Sequence, residues 1–384
     1  MNKSARFKTL CSRPFAVASL AIGALTLSAL QTQGQDFHQT NLVSDIDGLA
    51  KITDPQLVNP CGVSHSLTSP FWTSNQGTNT ATLYNVTQGT SVTKVNINPP
   101  TGFVAIPTTA SGGPQGPTGQ VNNTNTSSFP VANPDDGTSA HFIFANLNGT
   151  ISAWNSGPMA FCQINCPDGA DGTVYTGLAI NRAQTRLYAA NTSLGRIDVF
   201  DSNFAALDLG PDAFFDPTLP AGLVPFNVQD IDGFVYVIYA PAGRPAQTMA
   251  DLGAGAVAVF AEDGDFIKEI VVGSRLAAPW GITFAPPSFG QFANHLLVGN
   301  FSYLHSEINA FDPTNGELRG TIPIDTGDQQ AGGLWTIDFG DGGNNGSPDV
   351  LYFSDGINGE ADGLFGAIAA HAATAADGAI AAAR

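Results

Sequence analysis

The feature that most constrains this chain is an internal repeat. A strand opening on a small residue, a strand such as Leu187-Tyr-Ala-Ala-Asn191 and a strand such as Arg196-Ile-Asp-Val-Phe-Asp201 follow one another in the same order six times. Six repeats, each of roughly 55 residues and three or four strands, are typical of the blades of a β-propeller. A β-sandwich is the second interpretation, but it would lack this long period. The opening positions are Gly62, Gly119, Gly177, Asn227, Gly281 and Thr336.

The two ends of the repeat region complement each other. The sixth repeat has no outer strand after Ile368, and the strand-like segment Phe37–Ser44 belongs to no repeat. We therefore predict that this segment supplies the missing strand and closes the ring, hiding edges that would otherwise pair with other chains. The prediction is an all-β, six-bladed β-propeller over residues 36–370, followed by an Ala-rich C-terminal tail at 371–384.

The composition agrees with many short strands joined by tight turns. The chain holds 43 Gly and 25 Pro, residues that disfavour helices and favour turns, and 12% of its residues are charged. The formal net charge of −18 argues against nucleic acid and against anionic lipid, because both need clustered Lys and Arg. Asp in turns explains much of the acidity. Calcium binding through carboxylates is the alternative explanation.

The N-terminus has the pattern of a signal peptide. Basic residues, among them Lys3 and Arg13, precede an uncharged apolar run from Phe15 to Leu30, and a polar stretch follows. Such a run is typical of a cleaved segment and short for a membrane span. An uncleaved anchor is the alternative. We predict a signal peptide at residues 1–35, a secreted or periplasmic protein, and no membrane association after cleavage.

Three cysteines remain after removal of the predicted signal peptide. Cys162 and Cys166 are close enough in sequence to form a disulfide in an oxidising compartment, which leaves Cys61 as a free thiol. The spacing is not that of a redox-active Cys-x-x-Cys pair, and too few Cys and His lie nearby for a zinc site. We therefore predict a structural disulfide between Cys162 and Cys166.

Short motifs occur in a fixed order along nearly all of the chain after the predicted signal peptide. They are Asn59-Pro-Cys-Gly62, Ala278-Pro-Trp-Gly281, Leu297-Val-Gly-Asn-Phe301, Gly333-Leu-Trp335 and Gly363-Leu-Phe-Gly-Ala-Ile368. Together they resemble a family of uncharacterised secreted bacterial proteins that are found in genomes with the PEP-CTERM sorting system and are similar to NHL-type propellers. The chain departs from that pattern at Cys61, where Trp is usual, and at Asp362, where His is frequent. The resemblance implies a secreted propeller and no particular activity.

Candidate ligand-binding residues lie where the inner strands begin, because propellers usually bind ligands around the central channel. Oxygens of Asn and Asp could hold calcium there, as in propeller lactonases of the gluconolactonase type, where the metal acts as a Lewis acid. The Trp side chains could form the floor of a site. Strand capping for the polar residues and blade core for the aromatic ones are the alternatives. The predicted channel-mouth residues are Asn59, Asn227, Trp280, Trp335 and Asp338.

Catalytic motifs are scarce. The sequence contains no Gly-x-Ser-x-Gly nucleophile motif and no phosphate-binding loop with its Lys. We therefore expect a binding propeller with a protein, a glycan or a surface polymer as its partner. A calcium-dependent hydrolase or lactonase-like enzyme using the channel mouth is the alternative, and whether the chain is an enzyme stays open.

Overall fold

The computed structural model describes residues 37–97, 99–109, 114–132, 137–170 and 172–370. These residues belong to one compact unit, Gln35–Arg384. The predicted signal peptide and the predicted Ala-rich tail lie outside the described residues. Within the described part of the chain, no helix is both long and apolar enough to cross a membrane.

Among the described residues, six sheets carry almost all of the regular structure, and they are antiparallel except for one short parallel pair. The chain enters through β1 (Phe37–Ser44) and β2 (Ile52–Thr53), which belong to the last sheet, and then builds five blades in succession.
Blade 1 consists of β3 (Pro60–Ser64), β4 (Phe71–Asn75), β5 (Thr80–Thr87) and β6 (Ser91–Lys94), with β7 (Val104–Ala105) paired to β5. Blade 2 consists of β8 (Pro117–Asn122), β9 (Phe142–Asn146), β10 (Ile151–Trp154) and β11 (Phe161–Ile164). Blade 3 consists of β12 (Tyr175–Ile180), β13 (Arg186–Asn191), β14 (Arg196–Asp201) and β15 (Ala206–Leu207).

Blade 4 consists of β16 (Leu223–Ile231), β17 (Phe234–Pro241), β18 (Ala256–Phe260) and β19 (Phe266–Val272). Blade 5 consists of β20 (Pro279–Phe284), β21 (Leu296–Asn300), β22 (Glu307–Phe311) and β23 (Leu318–Pro323). Blade 6 consists of β24 (Leu334–Phe339), β25 (Val350–Asp355) and β26 (Leu364–Ala370), together with β1 and β2. Two short helices, α1 (Arg244–Thr248) and α2 (Ile357–Glu360), and single 3-10 turns at Gln76–Thr78 and Gly290–Phe292 complete the fold. The predicted six-bladed β-propeller is confirmed.

The sixth sheet joins the two ends of the described chain. β1 runs antiparallel to β26, with Phe37 opposite Ala370 and Ser44 opposite Leu364. The Ser44 hydroxyl also donates a hydrogen bond to the carbonyl of Gly363, and the Ser44 side chain is buried. The predicted segment thus lies beside the sixth repeat.

The hydrophobic core lies between neighbouring blades because side chains alternate along each strand. On β25, Leu351 and Phe353 pack into the cluster that blade 6 shares with blade 5. Val350 and Tyr352, one residue out of phase, pack into the cluster shared with blade 1. Strands buried on both faces explain why the second strand of each repeat reads as a nearly continuous apolar run.

The opening residues of the six repeats lie where the inner strands come closest together. A Cβ atom on Gly281 would stand 2.3 Å from the carbonyl oxygen of Trp335, and one on Gly119 would stand 2.3 Å from the amide nitrogen of Leu178. These neighbouring atoms belong to the backbone, so they cannot move aside as a side chain would. Glycine is therefore required here by a close approach between strands.

Each inner strand also has an irregular register at this level, which interrupts its pairing with the second strand of its blade. In blades 4 and 6 the opening residue is not glycine, and its side chain bonds to the neighbouring blade. The Asn227 amide donates to the carbonyl of Trp280 at 2.9 Å, and the Thr336 hydroxyl donates to the carbonyl of Cys61 at 2.9 Å. The irregularities free backbone groups that neighbouring blades then use.

Candidate functional site

Three cavities follow one another along the inner strands, as their lining residues on β3 illustrate. Cys61 lines the first, which we call the Arg244 cavity and which has a volume of about 410 Å³. Gly62 lines the central channel, of about 30 Å³, and Ser64 lines the third, the His65 cavity, of about 230 Å³. Because the channel has room for about one water molecule, the two larger cavities are separate sites.

The polar wall of the Arg244 cavity is organised around Asn59, whose backbone has a left-handed φ of 45°. Its side-chain oxygen accepts a hydrogen bond from the Trp335 indole at 2.8 Å. Its amide nitrogen donates to Gln76 at 2.8 Å and to Glu360 at 3.2 Å. Asn59 thus joins the start of blade 1 to the end of blade 6, and its conformation is held by bonds to three neighbours.

Arg244 contributes the positive charge of this cavity. Its guanidinium pairs with the carboxylate of Glu360, and its Cζ atom lies 4.7 Å from the ring centre of Phe301 and 6.0 Å from that of Trp335. Aromatic faces attract a guanidinium, so both interactions fix its position. Glu360 itself has a left-handed φ of 69°. Such strain in a residue other than glycine is frequent at binding sites.

Gln247 lies beside Arg244 on the segment that connects β17 to β18. Gln247 is 3% exposed and lines the cavity. Its side-chain nitrogen has no hydrogen-bond partner in the structure. A buried amide donor without a partner costs roughly 1–3 kcal/mol. A ligand that accepts this hydrogen bond would recover that energy, so Gln247 makes this cavity a candidate binding site.

The five residues predicted from the sequence do not share one mouth. Asn59 and Trp335 line the Arg244 cavity, whereas Asn227 and Trp280 line the central channel. Asp338 lies at the other end, where it borders the channel and the His65 cavity. The five residues therefore lie along the channel and not around one mouth, because β24 runs along the channel and carries Trp335 and Asp338 to opposite ends. Their role in ligand binding stays a prediction.

The aromatic residues at the start of the inner strands pack against one another. The rings of Trp280 and Trp335 are perpendicular at 5.4 Å, and Phe226 lies 5.9 Å from Trp335. The Trp280 indole donates to the carbonyl of Thr176 at 2.9 Å, which reaches past blade 4 to blade 3. Both Trp residues are buried, at 4% and 2% exposure. Trp335 also lines the Arg244 cavity, but both rings belong to one buried core cluster, so they contribute mainly to the core.

An ion triad borders the opposite mouth. The imidazole of His65 lies 3.5 Å from a carboxylate oxygen of Asp338 and 3.1 Å from one of Asp341. Burial alone would lower the pKa of His65, but hydrogen bonds to the two carboxylates and their negative charges outweigh it and raise the pKa to about 10. Both ring nitrogens face carboxylates, and Nδ1 also lies 3.1 Å from the side-chain nitrogen of Asn345. Neither nitrogen is free for proton transfer, so the triad has a structural role.

The cysteines are arranged as predicted. Cys162 and Cys166 form a disulfide, with their Cα atoms 5.9 Å apart. Cys61 is a buried free thiol, and burial raises its pKa above the ordinary value.

The described acidic and histidine side chains of the site do not form a cluster of metal ligands. Within the described ranges, no group of three or more His, Cys, Asp or Glu is placed to hold a metal ion. The carboxylates nearest to the channel, Asp338 and Asp341, are instead paired with His65. The predicted calcium site therefore gains no support from these residues.

Arg244, Gln247 and Glu360 were not identified from the sequence. All three lie in or next to segments that connect strands, where no repeat marks them. One signal was available: the connection between the second and third strands of blade 4, residues 242–255, is longer than the one in blade 3, residues 192–195. A long connection at one end of a propeller often carries function.

Comparison with known proteins gives relatives without an assigned function. No protein-family model matches the chain. The uncharacterized protein L690 of Acanthamoeba polyphaga mimivirus is 29% identical over 293 residues, which is 74% of each chain. The uncharacterized protein R648 of the same virus is 30% identical over 291 residues, which is 73% of this chain and 68% of that protein.

Among solved structures, a protein of unknown function from Bacteroides thetaiotaomicron VPI-5482 aligns over 87% of this chain and 76% of its own, with 11% identity and a TM-score of 0.51. The streptogramin B lyase structure aligns over 88% of this chain and 98% of its own, with 13% identity and a TM-score of 0.48. At such identity the first similarity concerns the fold alone. The sequence similarity to R648 reaches further, and the chain belongs to the same protein family as that uncharacterized viral protein.

Proposed function

We propose that this chain is a secreted or periplasmic binding protein and that the Arg244 cavity holds its ligand. The observation that carries the proposal is the unpartnered amide of Gln247, buried in the wall of a cavity of about 410 Å³. Ligand pockets in proteins typically range from about 300 to 1,000 Å³ and have a few oriented polar groups. The cavity fits that description better than the narrow central channel does.

The left-handed conformations of Asn59 and Glu360 add to this proposal. Their side chains face each other across the cavity wall, joined by a hydrogen bond of 3.2 Å. The two residues lie on opposite sides of the junction between blades 1 and 6. Because their backbones are held in this conformation, their side chains form a preorganised polar surface. Preorganisation lowers the entropy cost of binding a ligand.

Secretion is part of the proposal. The basic and apolar N-terminal pattern predicts export, and the disulfide between Cys162 and Cys166 is of a kind that persists in oxidising compartments. The association with PEP-CTERM sorting stays a prediction from the motifs. N-terminal sequencing of the protein recovered from the culture medium or periplasm tests export, since a chain that retains Lys3 in the cytoplasm contradicts it.

Binding is tested with a panel of small probes from several chemical classes: neutral sugars, sugar acids, amino sugars, amino acids, dicarboxylates and nucleosides. At least one probe should raise the melting temperature in a saturable way, since a ligand that binds only the folded state stabilises it. Gln247→Leu should reduce that rise, because loss of the buried donor weakens binding about tenfold. Glu307→Gln serves as the matched control, because it breaks an Arg–Glu pair, Arg275 with Glu307, on blade 5 and outside the lining of the cavity. If no probe stabilises the protein, or if Gln247→Leu responds like the wild type, the proposal is wrong.

A further inference from the structure

The charges of the Arg244 cavity cancel each other. Among the described residues that line it, the charged ones are Arg244 and Glu360, and they pair with each other. A ligand carrying its own net charge would lose water on entering and find no free counter-charge, which is costly in a partly buried site. The cavity therefore favours an uncharged ligand, even though the whole chain has a net charge of −18.

The hydrogen-bonding groups of the cavity include both donors and acceptors. The buried nitrogen of Gln247 has no partner, and the guanidinium of Arg244 has more N–H groups than its contacts with Glu360 and Tyr303 require. Acceptors are available on the same wall, because carboxylate oxygens have several lone pairs. Besides its pair with Arg244, the Glu360 carboxylate accepts a hydrogen bond from the side-chain amide of Asn59. A hydroxyl group can satisfy both kinds of group, since it donates and accepts.

Leu147, Val174 and Pro114 supply apolar surface to the rest of the lining. Hydroxyl groups lie in the same lining, on Thr118, Thr176, Thr192 and Ser193. A ligand that fits this arrangement has one face rich in hydroxyls and another of C–H groups. Sugar rings have this character, and a volume of about 410 Å³ accommodates one or two of them.

We infer that the Arg244 cavity binds an uncharged saccharide unit, such as the terminal sugar of a glycan. The inference rests on the proposed binding function and narrows it to one class of ligand. Gln247 and Arg244 donate to ring or hydroxyl oxygens, Glu360 accepts from a hydroxyl, and the apolar wall covers the C–H face of the ring.

The test uses sugars that differ in charge and share a ring. Glucose, glucuronate and glucosamine form one series, and galactose, galacturonate and galactosamine form another. Titration calorimetry with the full-length secreted protein should detect a neutral sugar, or its disaccharide, that binds at least about tenfold more tightly than its acid and its amine. A charged member that binds more tightly than the neutral one would overturn the inference.

Two variants connect this preference to the cavity. Glu360→Gln leaves the charge of Arg244 unbalanced, so the sugar acid should become the tightest-binding member of each series in place of the neutral sugar. The control Glu307→Gln should keep the order of affinities that the wild type shows. Gln247→Leu should weaken the neutral sugar about tenfold. An unchanged order of affinities in Glu360→Gln contradicts the inference. If either variant fails to fold, the wild-type charge series decides alone.

The outcomes separate this inference from the broader proposal. If amino acids or nucleosides bind in a Gln247-dependent way and no sugar does, the saccharide inference is wrong and the binding function stands. If no member of the whole panel binds, both are wrong.

Discussion

His65 should stabilise the fold in a way that depends on pH. Its side chain is 9% exposed, and the hydrogen bonds and charges of Asp338 and Asp341 raise its pKa from 6.5 to about 10 against the opposing effect of burial. In return, the hydrogen bond from His65 lowers the pKa of Asp341. Because the pKa of His65 is higher in the folded state than in the unfolded state, protonation favours folding.

The size of the effect follows from the same contacts. Each tenfold change in proton affinity corresponds to about 1.4 kcal/mol, so the rise in the pKa of His65 sets an upper limit of about 5 kcal/mol. The side chains of Asp338 and Asp341 are each 37% exposed, so water screens both pairs. We therefore expect about 1–2 kcal/mol. This stabilisation is fully present below about pH 6.5 while the carboxylates stay charged, and it is lost as the pH rises through about 10.

The measurement is urea unfolding of the wild type and of His65→Gln between pH 6 and pH 10.5. Glutamine keeps a hydrogen-bonding group near the carboxylates without the charge. The difference in free energy of unfolding should be largest at pH 6, smaller at pH 8 and close to zero at the alkaline end. His295→Gln is the matched control, since the Nδ1 atom of His295 lies 2.9 Å from the backbone carbonyl of Ala293 instead of facing a carboxylate. A difference that stays constant, or grows with pH, would refute the reasoning.

Three further predictions concern the ring and its cysteines. Deleting residues 36–45 should lower the melting temperature by about 10 °C or more, because β1 contributes fully buried Leu42 and Val43 and covers the edge of β26. An unchanged melting temperature would contradict closure by this strand. Gly281→Ala should lower the free energy of unfolding in urea by about 2 kcal/mol or more, since the new Cβ would meet the backbone oxygen of Trp335. Gly299→Ala is the control and should lower it less, because its Cβ would meet a flexible methyl group of Leu334 at 3.1 Å. Thiol titration of the denatured secreted protein should give one free thiol per chain, that of Cys61. Three free thiols per chain would show that Cys162 and Cys166 are not bonded.

The blades could be predicted from the sequence because each repeat buries its strands against its neighbours in the same way. The apolar second strand and the small opening residue are imposed by packing that recurs in every blade, so the repeat makes them visible. Gly281 illustrates this: its place in the repeat was evident, and the structure supplies the reason, a close approach to the backbone of Trp335.

The candidate site was harder to predict because it breaks the repeat. Arg244 and Gln247 belong to a connection that is long in blade 4, and Glu360 lies in α2, so no period relates them. Asp338 was predicted beside Asn59, but position along the inner strand decides which mouth a side chain reaches. Its partner His65 lies in blade 1, and only the closed ring brings blades 1 and 6 together.

The pairing of β1 with β26 sets the order in which the molecule can be completed. Ser44 and its hydrogen-bond partner Gly363 are 319 residues apart, so β1 waits for β26 before it can pair. Contacts between such distant residues form slowly, because a long loop must close before they gain any energy. We expect that, until β26 forms, β1 lacks its partner and is exposed to association with other chains.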